Sequence, residues 1–470
     1  MRRGLLAAGL ALLLLAGCAP APAPTGDRAE FDAFCQSVNG ARAQNLAWTA
    51  DERAELARSM AEYPAEDGLT EEELAALFGP QENGGAAELN RAALREDVDL
   101  FFRALRAAYG GYDYFGGDEV FTPIQEELYA YLDRHGTFVS ADLCSQLTHL
   151  LRPVIRDGHF AIGNKPIIER ESVSMFYVPD LYLQDTSGLD GAYVKPTIGP
   201  DGQLAYCFAA LARSGKELPD KLGEYDLAWV EAERYAGRDR MGYRRTQVER
   251  IPALVSRTMT SGATTASGRE LEAFASAGAE YRGLPLLLVD IRGNGGGNSS
   301  YAGQWMEGFA RQIPQFKIWG GTKCSPLFLY GLQHSELYAA VQDSIKNEML
   351  DYRGSWEIDQ TDGIRGETDT LVFVLTDQGT CSAGEDFVAM LRMTENVVFV
   401  GSNTQGSIMF GNVMPMTLPN TGLPVRFGAS IHFWEGTGNT EGVGFLPDLW
   451  VNPVDAEDAV VRLCRYYGLI

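Results

Sequence analysis

Short, wholly apolar runs alternate with amphipathic stretches through the second half of this chain. Leu286-Leu287-Leu288-Val289, running on into Asp290-Ile291-Arg292, and Leu371-Val372-Phe373-Val374-Leu375 are apolar and too short for helices, which predicts buried strands. A helical run follows each after a turn: Tyr301 to Ala310 after the first, Phe387 to Leu391 after the second. From Glu280 onward, strands alternate with helices, the pattern of a layered α/β unit. Upstream the pattern changes. Phe31 to Gln81 reads as helical and acidic, with Thr70-Glu71-Glu72-Glu73 as a capping-box start and Glu82-Asn83-Gly84-Gly85 as a break. Amphipathic helices are predicted over Asp97–Tyr109, Pro123–Leu132 and Ala141–Leu151. The aromatic, turn-rich Gly110–Gly117 lies between the first two, placed to line a cleft mouth or pack at the surface. Short strands follow, such as Met175–Tyr182 and Leu204–Ala210, and the small polar Thr258–Gly268 reads as a linker or lid. The expected organisation is a helical region over 31–165, a β-rich segment over 166–279 and an α/β domain over 280–470.

Two turns carry candidate chemistry. Thr380-Cys381-Ser382-Ala383-Gly384-Glu385-Asp386 joins a predicted strand to a predicted helix, which puts the Ser382 hydroxyl at a helix N-terminus. Unpaired N–H groups and the dipole there favour developing negative charge, as a nucleophile for acyl transfer requires. The same residues also fit an ordinary S-x-x-E capping box. Gly293-Asn294-Gly295-Gly296-Gly297-Asn298 follows the other strand. A dinucleotide fingerprint fails because Asn298 stands at its third glycine, and no Gly-Lys-Ser/Thr follows for a Walker loop. Such a loop brings backbone close to a ligand. The N–H groups of Gly295 or Gly296 on one side and Ala383 on the other are candidates for an oxyanion hole.

Asp290-Ile291-Arg292-Gly293-Asn294-Gly295-Gly296-Gly297 resembles the D-x-R-x-N-x-G-G signature of the carboxyl-terminal processing peptidases and tricorn-core serine peptidases, shared with the retinoid-binding interphotoreceptor repeats. Thr380 to Glu385 resembles that family's T-x-S-A-x-E nucleophile turn, Val397–Gly406 its next strand and turn, and Gly442-Val443-Gly444-Phe445-Leu446-Pro447-Asp448 its closing motif. The resemblance implies a Clp-protease/crotonase-like ββα spiral for the α/β domain, and a serine peptidase with Ser382 as nucleophile. Cys381 then reads as a small buried residue. A PDZ module is frequent in the middle of such chains, but no carboxylate-binding G-L-G-F-like loop is present.

The family uses two bases. Where the processing peptidases place a lysine, this chain has Ser407, and no lysine follows Lys346. The tricorn branch uses a histidine from a D-x-H motif, and Asp157-Gly158-His159 resembles it. His159 is the expected general base, with activity rising through a pKa of roughly 6–7. The serine that precedes this histidine in the tricorn pattern is replaced by Gly158. Glu441 matches the branch's late glutamate, positioned to support the imidazolium or to face the substrate. Of the other histidines, His135 reads as a helix-end cation, His149 as a packing residue and His334 as polar loop or helix start, while His432, in the alternating strand Ala429–Trp434, is the rival base.

Met1-Arg2-Arg3, the apolar Gly4–Leu15 and Leu15-Ala16-Gly17-Cys18 fit a bacterial lipoprotein signal over 1–17, with Cys18 lipidated and the Ala/Pro-rich 18–30 as a tether. This predicts an extracytoplasmic protein held on a membrane by its lipid. The net charge of −24 argues against nucleic acid as a partner and leaves a peptide or protein substrate. No spacing calls for a metal or another cofactor. Cys35, Cys144, Cys207, Cys324, Cys381 and Cys464 are scattered, so no disulfide scaffold is required, though an oxidising exterior admits one or two bridges. The alternative reading is a non-catalytic ligand- or peptide-binding lipoprotein on the same fold.

Overall fold

The computed structural model describes residues 25–43, 49–57, 60, 68–79, 90–134, 139–168, 172–235, 241–260, 266–338, 341, 343–434 and 441–470. The signal and Cys18, the break at Glu82–Gly85, His135 and part of the Thr258–Gly268 linker lie outside these.

A six-stranded central sheet runs in the order Leu449–Trp450, Val397–Gly401, Leu371–Thr376, Leu286–Asp290, Ile251–Val255, Arg244–Val248. Neighbours are parallel except the last pair, an antiparallel hairpin. Leu286–Asp290 and Val397–Gly401 are buried at every position because helices cover both faces, so these strands read as continuous apolar runs. Trp305 of Ser300–Phe309 and Phe387 of Ala383–Arg392 pack edge to face on one side. Phe31 of Arg28–Arg42 and Tyr467 fill the other.

A second, antiparallel sheet contains Trp356–Thr361, Ile318–Lys323, Pro424–Trp434, Ala161–Ile162 and Lys165–Pro166, with Phe410–Thr417 also paired to Pro424–Trp434. The helices Arg91–Ala108, Gly117–Arg134 and Ser140–Leu151 pack in its core. The chain leaves the central sheet at Asp290, passes through Ser300–Phe309 into two strands of the second sheet, and returns at Leu371. It repeats the excursion from Gly401 through Phe410–Thr417 and Pro424–Trp434 back to Leu449. This is the mixed α/β architecture expected, consistent with the Clp-protease/crotonase-like fold. The middle segment supplies a four-stranded sheet of Val194–Ile198, Leu204–Ala212, Ser174–Tyr177 and Val230–Glu231.

Some local expectations change. The strand begun at Ser174 stops at Tyr177, where Pro179 lacks an N–H and Asp180 takes φ 59. The aromatic stretch is neither a cleft mouth nor surface packing. Tyr112 is buried and stacks on Phe121 at 4.7 Å, and Phe115 stacks on Phe410 at 5.6 Å. His149 is exposed rather than packed. The cysteines Cys35, Cys144, Cys207, Cys324, Cys381 and Cys464 are free thiols. No described helix is long and apolar enough to cross a membrane.

One buried charge cluster fixes the root of the glycine loop. Asp290 accepts hydrogen bonds from Arg257 at 2.7 and 2.5 Å and from Arg292 at 2.9 and 2.8 Å, and the Tyr235 ring lies against both guanidiniums. Burial alone would raise the Asp290 carboxyl, but the two arginines outweigh it and hold it down to about 2. Replacing Asp290 by Asn removes the carboxylate that two buried arginines share and, among the described residues, leaves only Glu457, 3.7 Å from Arg292, beside them. We expect a loss of about 3–5 kcal/mol in unfolding free energy, read by urea denaturation followed through tryptophan fluorescence.

Candidate active site

Leu286–Asp290 and Leu371–Thr376 are parallel neighbours, so the glycine loop and the Thr380–Asp386 turn leave the sheet side by side at its carboxyl end. Side chains and backbone stitch the two together. Asp377 accepts from the N–H of Gly293 at 2.7 Å and of Gly379 at 3.0 Å, Thr380 Oγ1 donates to Ile291 O at 2.9 Å, and Cys381 N–H donates to Asn294 O at 2.9 Å. Gly296 takes φ 86 and packs so closely that a Cβ there would fall 2.8 Å from Cys381 O and 2.8 Å from Ser382 Cβ. Only glycine meets both conditions.

Ser382 adopts φ 52, ψ −125, a conformation rare for a residue with a side chain. Such backbone strain at the start of Ala383–Arg392 throws the side chain off the helix path. Glu385 reaches back to the Ser382 N–H at 3.2 Å, half of the capping box that the sequence fits, while the Ser382 hydroxyl lies 3.1 Å from His159 Nε2. Glu385 is buried and also accepts from Thr404 Oγ1 at 2.5 Å, Gly406 N–H at 2.9 Å and Ser407 N–H at 2.8 Å. It thereby ties the 404–407 turn to the same helix end.

His159 arrives from the second sheet. Ala161 pairs with Arg426, and Asp157 accepts the N–H groups of His159 at 2.6 Å and Phe160 at 3.2 Å and the Tyr109 hydroxyl at 3.1 Å. Glu441 does not bond the imidazole. Its carboxylate accepts the Gly158 N–H at 3.1 Å, the Ile408 N–H at 3.1 Å and the Met409 N–H at 2.8 Å, so it grips the backbone that carries the histidine. Burial and the nearby Asp157 carboxyl push Glu441 well above the ordinary carboxyl range. His159 Nδ1 is buried with no hydrogen-bond partner. The room that a side chain at residue 158 would take is filled from elsewhere: a Cβ on Gly158 would stand 2.2 Å from Ser407 Oγ. The imidazole is pushed down to about 4, by burial first and by the Arg426 guanidinium second.

On the donor side, Ala383 N–H lies at the first position of its helix, where no intrahelical acceptor exists. Opposite it lies the glycine loop that holds the expected Gly295 and Gly296, where the Gly296 N–H donates to Asn294 Oδ1 at 3.0 Å. Gly297, with φ 140, is the loop glycine that lines the cavity with Ser382 and His159. The choice depends on where the loop turns, which a run of glycines does not encode.

His432 lines the far wall of the same cavity, its Nε2 3.8 Å from Asp359 Oδ2. His334 bonds Tyr330 O through Nδ1 at 2.9 Å and stacks on that ring. No lysine lines the cavity. The buried Lys323, lowered to about 8 by burial, donates to Arg106 O at 2.9 Å in the second sheet. Cys381 is raised to about 12 by burial and the neighbouring Glu385, and its thiol donates to Gly295 O at 3.3 Å, so it is held as the unreactive thiol. The arrangement can pass a proton from a serine hydroxyl to a neutral imidazole beside a helix N-terminus.

Residues 258–451 match Peptidase family S41. No curated protein matches the chain. Among solved structures, mature CPAF is 12% identical with a TM-score of 0.43, over 80% of this chain and 96% of that one. The photosystem II D1 C-terminal processing protease is 14% identical with a TM-score of 0.37, over 79% and 97%. A lipoprotein from Streptococcus agalactiae is 13% identical with a TM-score of 0.37, over 79% and 96%.

The depressed imidazole sets the pH dependence. A base must be neutral to accept a proton, and a pKa of about 4 keeps His159 neutral down to that pH. Hydrolysis by this site is therefore expected to persist through pH 6 and to fall only as pH drops through about 4, below the roughly 6–7 of an ordinary histidine. A kcat/KM–pH profile with stability-controlled end points checks the position of the acid limb.

Proposed function

We propose that this chain, whose residues 258–451 match Peptidase family S41, hydrolyses peptide bonds with Ser382 as nucleophile and His159 as its base. The 3.1 Å approach of His159 Nε2 to Ser382 Oγ carries the reading. Ser382 Oγ attacks the peptide carbonyl as its proton passes to His159 Nε2. The oxyanion forms between the N–H of Ala383 and the glycine loop, whose Gly297 lines the cavity. Collapse breaks the C–N bond, and the leaving amine takes the proton from His159. Water, deprotonated by the same imidazole, then releases the acyl group from Ser382. Asp157 and Glu441 act as positioning residues, through the backbone N–H groups of His159, Phe160 and Gly158. The low pKa makes His159 a base that is always available and weak, so the hole and the alignment carry more of the rate than basicity does.

A fluorophosphonate probe tests the nucleophile. The wild-type chain labels, Ser382→Ala abolishes labelling, and His159→Gln slows it by a factor of about 10²–10⁴. Absence of labelling in folded wild-type protein would remove the catalytic reading and favour a binding protein on this fold.

The address rests on Leu15-Ala16-Gly17-Cys18. We propose export and lipidation at Cys18, with the peptidase working outside the cytoplasmic membrane. In a bacterial host, radiolabelled palmitate incorporates into the wild type and not into Cys18→Ser, which fractionates away from the membrane.

A further inference from the structure

The cavity that holds Ser382 and His159 continues along one face of the helix Ala383–Arg392. Ser382, Asp386 and Met390 recur at intervals of four and all line it. The second sheet closes the opposite side with Phe316, Ile318 and Trp434, and Asp359 and His432 stand beside them. The volume, about 280 Å³, admits one large side chain. Its charge is one-sided. Two carboxylates line it and no lysine or arginine does. The bond to Asp386 comes from the neutral Ser299 hydroxyl, and Asp359 faces His432, which burial keeps toward its neutral form. A buried carboxyl lacking a cation prefers its proton, and burial duly pushes Asp386 up to about 7.

We propose that this cavity receives the substrate side chain next to the scissile carbonyl, and that Asp386 and Asp359 select lysine or arginine there. The inference rests on Ser382 being the acylated residue. Asp386 lies one helical turn, about 5.4 Å, beyond Ser382, a distance that a four-carbon lysyl stem spans from an acyl carbon held at the serine. The stem runs from Ser382 toward Asp386 inside a cavity whose apolar lining includes Phe316 and Trp434, and the ammonium or guanidinium meets the Asp386 carboxylate. Arrival of the cation removes the reason for Asp386 to hold a proton, so the charge pair forms only with the matching side chain. A glutamyl side chain brings a third carboxylate into the same space and is rejected.

Two measurements on the full chain test the pocket and the chemistry separately. Diphenyl α-aminoalkylphosphonate probes with an arginine-like or a leucine-like side chain report on Ser382 through phosphonylation, in which the serine oxygen bonds phosphorus and phenol leaves. The cationic probe is expected to react at least about tenfold faster, and Asp386→Asn to erase most of that ratio. Asp359→Asn, on a half-exposed strand, is expected to lower the ratio severalfold and serves if Asp386→Asn does not fold. Calorimetry on Ser382→Ala, with acetylated peptides differing only by lysine or leucine at one position, reads the pocket without chemistry. Lysine is expected to bind about tenfold tighter at one register. Labelling by both probes with no cationic preference overturns the pocket and leaves the serine peptidase standing. Lysine preference in Ser382→Ala without labelling of the wild type keeps the pocket and removes the catalysis. A ratio unchanged by both Asp386→Asn and Asp359→Asn also overturns the assignment.

Discussion

The contact between His159 Nε2 and Ser382 Oγ joins residues 223 positions apart, on two different sheets. Everything else in the site holds one end of it. The serine end is set by the turn after a fully buried parallel strand and by backbone strain that no isolated peptide would keep. The histidine end is set by pairing of Ala161 with Arg426 and by two buried carboxyls that collect the N–H groups of the loop. A hydrogen bond of about 1 kcal/mol cannot position these elements. The sheets position it.

Buried acids recur around this contact as fasteners for backbone rather than as partners for the imidazole. Asp157, Glu385 and Glu441 each accept two or more backbone N–H groups, and Asp377 does the same between the two active-site loops. A carboxylate offers about four lone-pair sites, so one residue can gather N–H groups from segments far apart in sequence. The cost is desolvation, visible in the raised carboxyls of Asp157 and Glu441. The packing around the imidazole likewise costs its charged form solvation, which lowers the pKa of His159.

The same packing explains the departure at Gly158. A serine there would collide with Ser407 Oγ, which comes from the turn that Glu385 anchors. The space beside Gly158 is thus taken by Ser407, which stands where the processing peptidases that the chain resembles place a lysine.

Apolar runs and turn residues determined the strands and the helices, because strand burial and helix periodicity leave a local trace in the chain; Ser382 and His159 were expected only from the motifs of the family that the chain resembles. The capping box at Thr70 and the strand-to-helix turn at Thr380–Asp386 were legible for that reason. The glycine that faces the cavity, the target of Glu441 and the neutral, low-pKa state of His159 left no such trace. Each depends on which distant backbone lies within about 3 Å, and on how much water the assembled sheets exclude. Gly297 on the cavity wall, Ser407 in the room beside Gly158, and a pocket bounded by Asp386 and Asp359 come from elements that meet only after folding, so only the tertiary structure decided them.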